Sequence, residues 1–388
     1  MYAIASAQYR AMLDRINWAR IVCPSPQALG AAAECRRLQE PPLNTRRRFI
    51  SSMAAVTATS AASFSWSKAA PLSHKERVDL ALRGEPLDRP PFTLWHHYKR
   101  PTAELEAQDH LDFHRRYDTD IVKVMNDFDY PQSKTGKWYE LEPLASPYPE
   151  QLHTLELVRD GLKGDAYFID TIYGPYMTAM LLLAAEPQFA GKGEANMGRV
   201  VDALHTFQQE HTAEWEQAIE AITQSTINHI KASQQLGTSG TLFSIMNATT
   251  KAGSVEDYVR YSRPYDKRVA DTLADTKLSF LHLHYLDRPF LPQFQDFRAP
   301  VINYSVKTSG IAVSEVRALY SQAIAGGVDE VDFDKLTTQE IHQQWTAARA
   351  QAGSKYIITP GCSVPDASTD ADLARMTRAA TLASTRTA

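Results

Sequence analysis

Cysteine is scarce in this chain of 388 residues, which contains three: Cys23, Cys35 and Cys362. The first two lie in an N-terminal region that, as argued below, has the character of a leader, so Cys362 is the single thiol of the remainder. A disulfide framework is therefore excluded for the folded part, because a framework needs paired cysteines. A lone thiol of this kind is either buried and inert or bound to a metal ion.

The chain also lacks long apolar runs and a strong excess of charge of one sign. No stretch approaches the roughly 20 uninterrupted apolar residues that a membrane-spanning helix needs, so we expect no membrane span. The 41 Lys and Arg residues nearly balance the 45 Asp and Glu residues, and a formal net charge of −4 gives no reason to expect a nucleic-acid partner. With 44% hydrophobic and 22% charged residues, the composition is that of an ordinary globular protein, and it leaves the oligomeric state open.

The segment before residue 71 has the order of an export signal. Arg46 and Arg47 precede an apolar pair, residues 53–62 are small and weakly apolar, and residues 67–69 read Ser-Lys-Ala, which suits a cleavage site. The arginine pair is typical of the twin-arginine signals that export folded proteins.

We interpret residues 45–70 as a twin-arginine-type signal peptide, and residues 1–44 as a disordered leader or the product of a start codon assigned too far upstream. The folded domain is then residues 71–388, and the protein is expected to be periplasmic or otherwise exported. A disordered basic tail or an organelle transit peptide is the alternative interpretation, and without export the chain stays in the cytoplasm.

From residue 73 onward, short apolar segments alternate with amphipathic ones. The apolar segments predict eight strands, at residues 92–96, 121–125, 166–172, 242–246, 278–284, 301–304, 328–333 and 356–359. Helices are predicted between them, the first capped by Ser73 and ended by Gly84. Eight such alternations in about three hundred residues predict an α/β fold with a single (β/α)8 TIM barrel.

The strand at residues 278–284 carries the most informative pair of side chains. Because side chains alternate along a strand, Phe280, His282 and His284 share one face. The strand that precedes Cys362 ends at the same C-terminal face of a barrel, where active sites of this fold lie. We therefore expect His282, His284 and Cys362 to converge on one metal ion. The alternative is a hydrogen-bonded histidine pair and an inert buried thiol.

Two charged residues of the second predicted strand are candidates for catalysis. If Val122 and Val124 face the outer helices, Lys123 points into the barrel, where a charge must be paired or neutralised. Lys123 then binds an anionic substrate group, or forms an ion pair with Asp127 or Asp332. Asp127 is a candidate catalytic acid or substrate-binding residue, with a capping or ion-pair role as the alternative.

The end of the first predicted strand also falls on the active face. His96 is a further catalytic candidate there, and a purely structural role is the alternative. The candidate substrate-binding residues around the same face are His97, Tyr98, Arg100, Tyr173 and Tyr304. Aromatic residues at strand ends are often core residues instead.

Four stretches resemble the uroporphyrinogen decarboxylase superfamily, and together they extend over nearly all of the mature chain: residues 75–91, 172–175, 326–329 and 360–365. The first is the most specific, because it contains both Arg-Gly-Glu-Pro and Asp-Arg-Pro-Pro. The resemblance implies a (β/α)8 barrel, in agreement with the strand pattern. It also implies one of two chemistries: decarboxylation of a porphyrinogen, or zinc-dependent transfer of a methyl group from a corrinoid protein to a thiol.

The residues favour the methyltransferase branch. True decarboxylases carry an arginine-rich loop, Arg-Gln-Ala-Gly-Arg-Tyr, after the first strand, whereas residues 95–100 offer only Lys99 and Arg100 for gripping carboxylates. One decarboxylase feature is kept, since Asp127 stands where the decarboxylase aspartate is found.

The methyltransferase branch uses a His-x-Cys pair and a later cysteine as zinc ligands. This chain has His282, His284 and Cys362 at those positions, so histidine replaces the middle thiolate. Such a set of two nitrogens and one sulfur suits zinc and leaves a fourth position for water or a substrate thiol.

Zinc would hold a bound thiol as thiolate near neutral pH, although the neutral imidazole in place of a thiolate predicts a less nucleophilic sulfur. We expect methyl or related group transfer on a small-molecule or corrinoid-bound substrate. The alternatives are porphyrinogen decarboxylation centred on Asp127, and a non-catalytic periplasmic barrel that binds a metal or a tetrapyrrole.

Overall fold

The computed structural model describes residues 71–189, 194–284 and 287–382. The predicted leader (1–44) and signal peptide (45–70) lie outside the described residues. Within the described residues, no helix has both the length and the apolar character that crossing a membrane requires.

Seven short strands form one curled parallel sheet, in which each strand pairs with the next one along the chain. They are β1 (Ile121–Lys123), β2 (Tyr167–Tyr173), β3 (Gly240–Ile245), β4 (Phe280–Leu283), β5 (Val301–Tyr304), β6 (Ala323–Val328) and β7 (Tyr356–Pro360). The strands are parallel and in chain order, and every connection contains an α-helix except β4–β5, whose described residues include a 3-10 helix (Leu291–Phe294). This is the winding of a TIM-type barrel. The predicted α/β fold is confirmed at this level.

Helices occupy the connections and the outer surface. They are α1 (His74–Arg83), α2 (Ala103–Tyr117), α3 (Pro149–Leu162), α4 (Pro175–Ala184), α5 (Glu194–Glu210), α6 (Thr212–Gln235), α7 (Val255–Tyr261), α8 (Arg263–Asp271), α9 (Val306–Ser309), α10 (Val313–Leu319), α11 (Thr338–Ala352) and α12 (Asp370–Thr381). The predicted first helix is confirmed: Ser73 and Glu76 form a capping box at its start, and Gly84 ends it in the left-handed conformation.

The first predicted strand, residues 92–96, is observed as a single bridge. Phe92 pairs in parallel with Ile358 of β7, and its carbonyl accepts a hydrogen bond from the Asp120 N–H at 2.9 Å, just before β1. The segment thus touches both edges of the seven-stranded sheet. It supplies one bridge to the sheet, at Phe92.

β6 differs from its counterpart in the prediction, which is the seventh predicted strand at residues 328–333. It runs instead from Ala323 to Val328, and its two glycines adopt φ values of 149° and 98° that other residues rarely take. At Gly327 a Cβ would lie 2.4 Å from the Ala348 Cβ of α11, so close packing of this helix requires glycine. Small residues with low strand propensity make β6 hard to recognise from the sequence. The prediction therefore selects the more apolar residues that follow it.

Apolar side chains fill both sides of the sheet. An inner cluster joins Trp95 to inward residues of the strands, among them Ile121, Ile169, Leu242 and Phe280. Outward residues of β1 and β2, including Val122 and Val124, pack against α2 and α3. As predicted from Val122 and Val124, Lys123 therefore points into the sheet's concave side.

The segment that resembles the superfamily most closely has a structural role at the N-terminal ends of the strands. The fully buried Asp120 carboxylate binds Arg77 and Arg89, each at 2.5 Å, and accepts the Phe92 N–H at 2.9 Å. Arg77 also binds Asp88 at 2.8 Å. The motif thus holds α1 and residue 92 against β1, away from the C-terminal ends where the candidate site lies.

Candidate metal centre

His282 and His284 lie at the C-terminal end of β4, with their rings adjacent. His282 is within the strand and only 4% exposed. His284 follows the strand, and its backbone N–H donates to the Ile245 carbonyl of β3 at 2.9 Å. Nε2 of His282 lies 3.2 Å from Nδ1 of His284. The two-residue spacing therefore brings both rings to one point, as the alternation along a strand predicts.

Asn303 of β5 determines which nitrogen of His282 faces this point. The Asn303 amide donates to the Ala325 carbonyl at 3.1 Å and lies 3.2 Å from the Thr359 hydroxyl. With its NH2 group directed there, its oxygen is left to accept from Nδ1–H of His282. Nε2 of His282 consequently carries the lone pair toward His284, which is the orientation a metal ligand needs.

Gly361 brings Cys362 to the histidines. A Cβ at residue 361 would lie 2.4 Å from the Ser305 Cα and 2.7 Å from the Glu330 carboxylate, so only glycine fits between them. The Gly361 N–H donates to buried Glu330 at 3.2 Å, which fixes the turn after β7. Sγ of Cys362 lies 3.1 Å from Nδ1 of His284.

The three donor atoms are arranged as a zinc site requires. His282, His284 and Cys362 offer atoms that all lie within 4.8 Å of one another. Zinc–nitrogen and zinc–sulfur bonds of about 2.0–2.3 Å in tetrahedral geometry separate ligand atoms by about 3.3–3.6 Å, close to the 3.1 and 3.2 Å found here. The residues therefore fit a zinc ion, which His282, His284 and Cys362 would hold.

Burial favours the neutral imidazoles that ligate metals. Loss of hydration lowers the pKa of His282, with the neighbouring Cys362 sulfur acting in the opposite direction. Burial lowers the pKa of His284 to about 4, against the opposing effect of Glu330. Protons therefore compete weakly for both nitrogens at neutral pH.

A cavity of about 510 Å³, partly open to solvent, lies over the three donors. Its walls mix aromatic, thioether and hydroxyl groups with two basic side chains. The lining residues are Trp95, His97, Lys123, Met125, Thr171, Tyr173, Met177, Leu242, Ser244, His282, His284, Cys362 and Ser363. A small pocket with a few polar groups at one end is typical of a ligand site.

Lys123 is a buried amine at the wall of this cavity. Its residue is 6% exposed, its Nζ contacts the Met125 sulfur, and it lies 5.4 Å from the centre of the Trp95 ring. Burial lowers the pKa of Lys123 to about 7. Among the described residues no carboxylate lies within 4.0 Å of Nζ, so neither of the predicted ion pairs, with Asp127 or Asp332, is formed.

Asp127 orients His97 toward the cavity. Its carboxylate lies 2.5 Å from Nδ1 of His97 and accepts the Lys99 N–H at 3.0 Å. Although burial opposes it, these contacts hold the pKa of Asp127 well below its usual range, so the group is a carboxylate. It is enclosed behind His97, whose ring reaches the cavity. The carboxylate–imidazole pair is a geometry used in acid–base catalysis.

The other predicted contact residues separate into two groups. Tyr173 lines the cavity, and its hydroxyl donates to the Asn126 carbonyl at 3.2 Å. Tyr98 and His96 line a neighbouring small cavity instead. Arg100 is half-exposed and paired with Asp109, and Tyr304 is fully buried in the layer between sheet and helices. The structure therefore places His96, Tyr98, Arg100 and Tyr304 outside the cavity that holds the three donors.

Two residues that support the site are absent from the sequence-based set: Asn303 and Glu330. A signal was present for Asn303, since an amide in the apolar run Val301–Tyr304 has to be hydrogen-bonded when the strand is buried. Glu330 gave no such signal, because it lies among other acidic residues after β6.

Comparisons with known proteins agree with this architecture. The family model described as uroporphyrinogen decarboxylase (URO-D) matches residues 124–381. Among solved structures, a methyltransferase from Methanosarcina mazei is similar with a TM-score of 0.62 and 15% identity, covering 79% of this chain and 98% of that one.

A B12-independent methionine synthase from Shewanella sp. W3-18-1, in complex with selenomethionine, has a TM-score of 0.49 and 12% identity, covering 76% of this chain and 92% of that one. No curated protein matches the chain. The likeness to the Methanosarcina protein supports the barrel-like fold, and the family model covers more than half of the chain. The chain belongs to the uroporphyrinogen decarboxylase family.

Proposed function

We propose that this protein is a zinc-dependent enzyme that transfers a methyl group, or a related group, to a thiol bound at His282, His284 and Cys362. The observation that carries the proposal is the convergence of these three donors, with His282 oriented by Asn303. Zinc at this position would lower the pKa of a bound thiol, so that the sulfur is a thiolate at neutral pH.

The cavity residues then have separate tasks. Trp95, Tyr173 and Met125 provide apolar surface for the substrate's carbon chain and for exclusion of water. Lys123, whose pKa is near neutrality, provides a positive charge on the wall when it is protonated, and an anionic substrate would favour that form. His97, held by Asp127, is placed to hold or move a proton when the substrate thiol enters or the thioether leaves.

In the proposed reaction the methyl donor is a corrinoid, taken from the methyltransferase branch that the sequence resembles. The sulfur forms a bond to the methyl carbon as the carbon–cobalt bond breaks, and the electron pair of that bond stays on cobalt. The thiol proton is released on binding. The donor approaches from the open side of the cavity, because the other side is closed by the strands.

Porphyrinogen decarboxylation is the second candidate, and the retained Asp127 favours it. The position of Arg100, which is paired with Asp109 outside the cavity, counts against it. A substrate with many carboxylates needs several cationic partners, whereas the cavity wall offers Lys123 and His97. The third candidate is a barrel that binds a metal or a tetrapyrrole without catalysis.

The test is elemental analysis of the untagged full-length chain, combined with an assay of methylcobalamin and dithiothreitol. We expect about one zinc ion bound by the three donors and loss of the cobalt–carbon absorbance, with methylated thiol detected by mass spectrometry. The Cys362→Ser variant should lose this zinc and the activity together. The Cys35→Ser variant is the matched control and should keep both.

A metal-free protein with full activity would contradict the proposal. Loss of carboxylates from uroporphyrinogen, unaffected by Cys362→Ser and abolished by Asp127→Asn, would favour decarboxylation instead. Zinc binding at this site, with a ligand that remains unreacted through purification and no turnover of either substrate, would favour the binding protein.

A further inference from the structure

A second group of metal-binding side chains lies at the opposite ends of the strands. His74 begins α1, His114 is in the last turn of α2, and Asp165 precedes β2. We propose that these residues, with Asp118, form a second site for a divalent ion of the zinc class, which joins α1 and α2 to the N-terminal ends of the strands.

The donor atoms have the separations of a tetrahedral site. Nε2 of His114 lies 3.1 Å from Oδ2 of Asp165, and Nε2 of His74 lies 3.9 Å from the same oxygen. Nε2 of His74 is also 3.4 Å from Oδ1 of Asp118. Zinc bonds of about 2.0–2.2 Å to nitrogen and oxygen place neighbouring ligands about 3.3–3.5 Å apart. Small movements of two exposed carboxylates would therefore complete the site.

Both imidazoles are held with Nε2 toward this point. Nδ1 of His74 donates to buried Asp120 at 3.1 Å, and Nδ1 of His114 lies 3.1 Å from the Thr119 hydroxyl. Asp120 is itself fixed by Arg77, so the His74 ring cannot turn without breaking its hydrogen bond to a buried, immobile carboxylate. A carboxylate behind a histidine ligand is the usual outer contact of zinc sites, because it orients the ring and makes the ligand more basic.

The Asp118 carboxylate lies at the C-terminal end of α2, beside the His74 ring. Asp118 ends α2 in the left-handed region, with φ 54°, where glycine or asparagine is the favoured residue. Its negative charge also lies at the negative end of the helix dipole, where acidic side chains are unfavourable. A cation held by Asp118 and Asp165 removes this repulsion.

The site is accessible and selects its ion by ligand type. The Asp118 and Asp165 side chains are 69% and 62% exposed, so an ion can enter from solvent. Two imidazoles with two carboxylates favour zinc over magnesium or calcium, which prefer oxygen ligands. Without sulfur, this site also differs spectroscopically from that of His282, His284 and Cys362.

The competing occupant is a proton. The hydrogen bond with Asp120 raises the pKa of His74, and Asp118 and Asp165 act in the same direction. A His74 imidazolium paired with these carboxylates would leave zinc without effect on stability, and the experiment distinguishes the two.

Zinc content and thermal unfolding are measured on the untagged full-length chain carrying Cys362→Ser, which removes a ligand of the first site. We expect about one zinc ion to remain, and the unfolding temperature to rise with added zinc chloride and fall with EDTA. Adding Asp118→Asn and Asp165→Asn should abolish both effects. The matched control adds Asp112→Asn and Asp160→Asn, which are exposed carboxylates on α2 and α3, and should change neither.

Cobalt substitution provides an independent readout. In the Cys362→Ser chain, cobalt at the second site should give visible d–d bands without a thiolate charge-transfer band, and His114→Gln should remove them. The proposal would be overturned if the Cys362→Ser chain contained no zinc and its unfolding temperature did not change with added zinc chloride. A zinc response that persists after Asp118 and Asp165 are replaced would overturn it too.

Discussion

At the scale of single residues, Asn303 determines the orientation of one candidate metal ligand, His282. It binds no metal itself, yet its amide decides which nitrogen of His282 faces the other donors. A pair of histidines on a strand can serve many purposes. The amide behind one of them leaves its Nε2 free to face the other donors, as the proposed metal binding requires.

We predict that Asn303→Leu lowers zinc affinity at the first site by about 10- to 100-fold, because removal of an outer hydrogen-bond partner typically has this effect. Competition with a chromophoric chelator measures the change. Asn247→Leu is the matched control, since Asn247 is also buried and donates to Ser262 at 2.7 Å. It should lower stability without changing zinc affinity, and equal affinities for both variants would refute the role of Asn303.

Asp266 gives a prediction about pH. It is fully buried in α8, and burial raises its pKa to about 8, although the Tyr258 hydroxyl donates to it at 3.2 Å. The unfolded chain loses this proton near pH 4 and the folded chain near pH 8, so the unfolded state binds fewer protons between these values. Stability therefore falls as the pH rises through this window, by up to about 1.4 kcal/mol per pH unit.

Asp266→Asn cannot ionise, so we expect a flatter dependence of stability on pH between 5 and 8 than in the parent chain. Urea unfolding at a series of pH values measures both slopes. If the two chains lost stability in parallel, the buried carboxyl group would have to be ionised in the folded protein.

Residue identity alone predicts part of this site. The alternation of a strand is enough to put His282 and His284 on one face, and the fold then brings Cys362 to them. It is not enough to identify Asn303, whose partners come from β6 and β7. It also misplaces Tyr304 and Arg100, because a position near a strand end does not reveal whether a side chain turns to the cavity or away from it.

At the scale of elements, the turn after β7 determines where the sulfur lies. Gly361 passes so close to Ser305 and Glu330 that any side chain would push Cys362 away. The turn is also tied to the first segment of the barrel, since the Val364 N–H donates to the Trp95 carbonyl at 3.0 Å.

We predict that Gly361→Ala loses zinc at the first site and about 1–3 kcal/mol of stability, because a methyl group 2.4 Å from the Ser305 backbone forces the turn to shift. Zinc analysis and urea unfolding test this. Gly198→Ala is the control, since a Cβ there meets nothing within 4 Å on α5. This control should bind zinc normally and be more stable by about 0.5–1 kcal/mol. A zinc-replete Gly361→Ala chain would show that the turn tolerates a side chain.

At the scale of the whole molecule, the motif at residues 75–91, which lies before the span matched by the family model, acts on the architecture together with Asp120. Arg77, Asp88, Arg89 and Asp120 connect the first helix to the start of the sheet, at the end opposite the cavity. Burial raises the pKa of Asp120, yet its hydrogen bond with His74 and the charges of Arg89 and Arg77 outweigh this and hold the pKa below its usual range. The stabilisation is thus present at neutral pH and lost as the pH falls through the folded-state pKa.

We predict that Asp120→Asn destabilises the protein by about 3–5 kcal/mol, because two arginines lose a buried partner. Asp88→Asn removes a carboxylate that is 41% exposed, pairs with the Arg77 guanidinium and accepts the Arg89 backbone N–H at 2.8 Å, so its cost should be about 1 kcal/mol or less. Urea unfolding of the two variants measures the difference. Equal losses of stability in the two variants would mean that the partly exposed Asp88 stabilises the chain as much as the buried Asp120.

Sequence patterns predict the order of the helices and most strands, because hydrophobic periodicity can be recognised without knowing which residues are in contact. They fail where small residues replace apolar ones, as in β6, and where a segment contributes one bridge, as at Phe92. The predicted export signal at residues 45–70 stays a prediction. N-terminal sequencing of the secreted protein, with Arg46 and Arg47 changed to lysine as a block to export, would test it.

The positions of the three donors along the chain have a consequence for biogenesis. His284 and Cys362 are 78 residues apart, and the thiol follows the last strand, so a ribosome has to release nearly the whole barrel before the ion can be enclosed. Under the proposed function, metallation would therefore be a late event, governed by whichever ions surround the nearly finished chain. For a protein exported after folding, that would be the metal supply of the compartment of synthesis rather than of the destination.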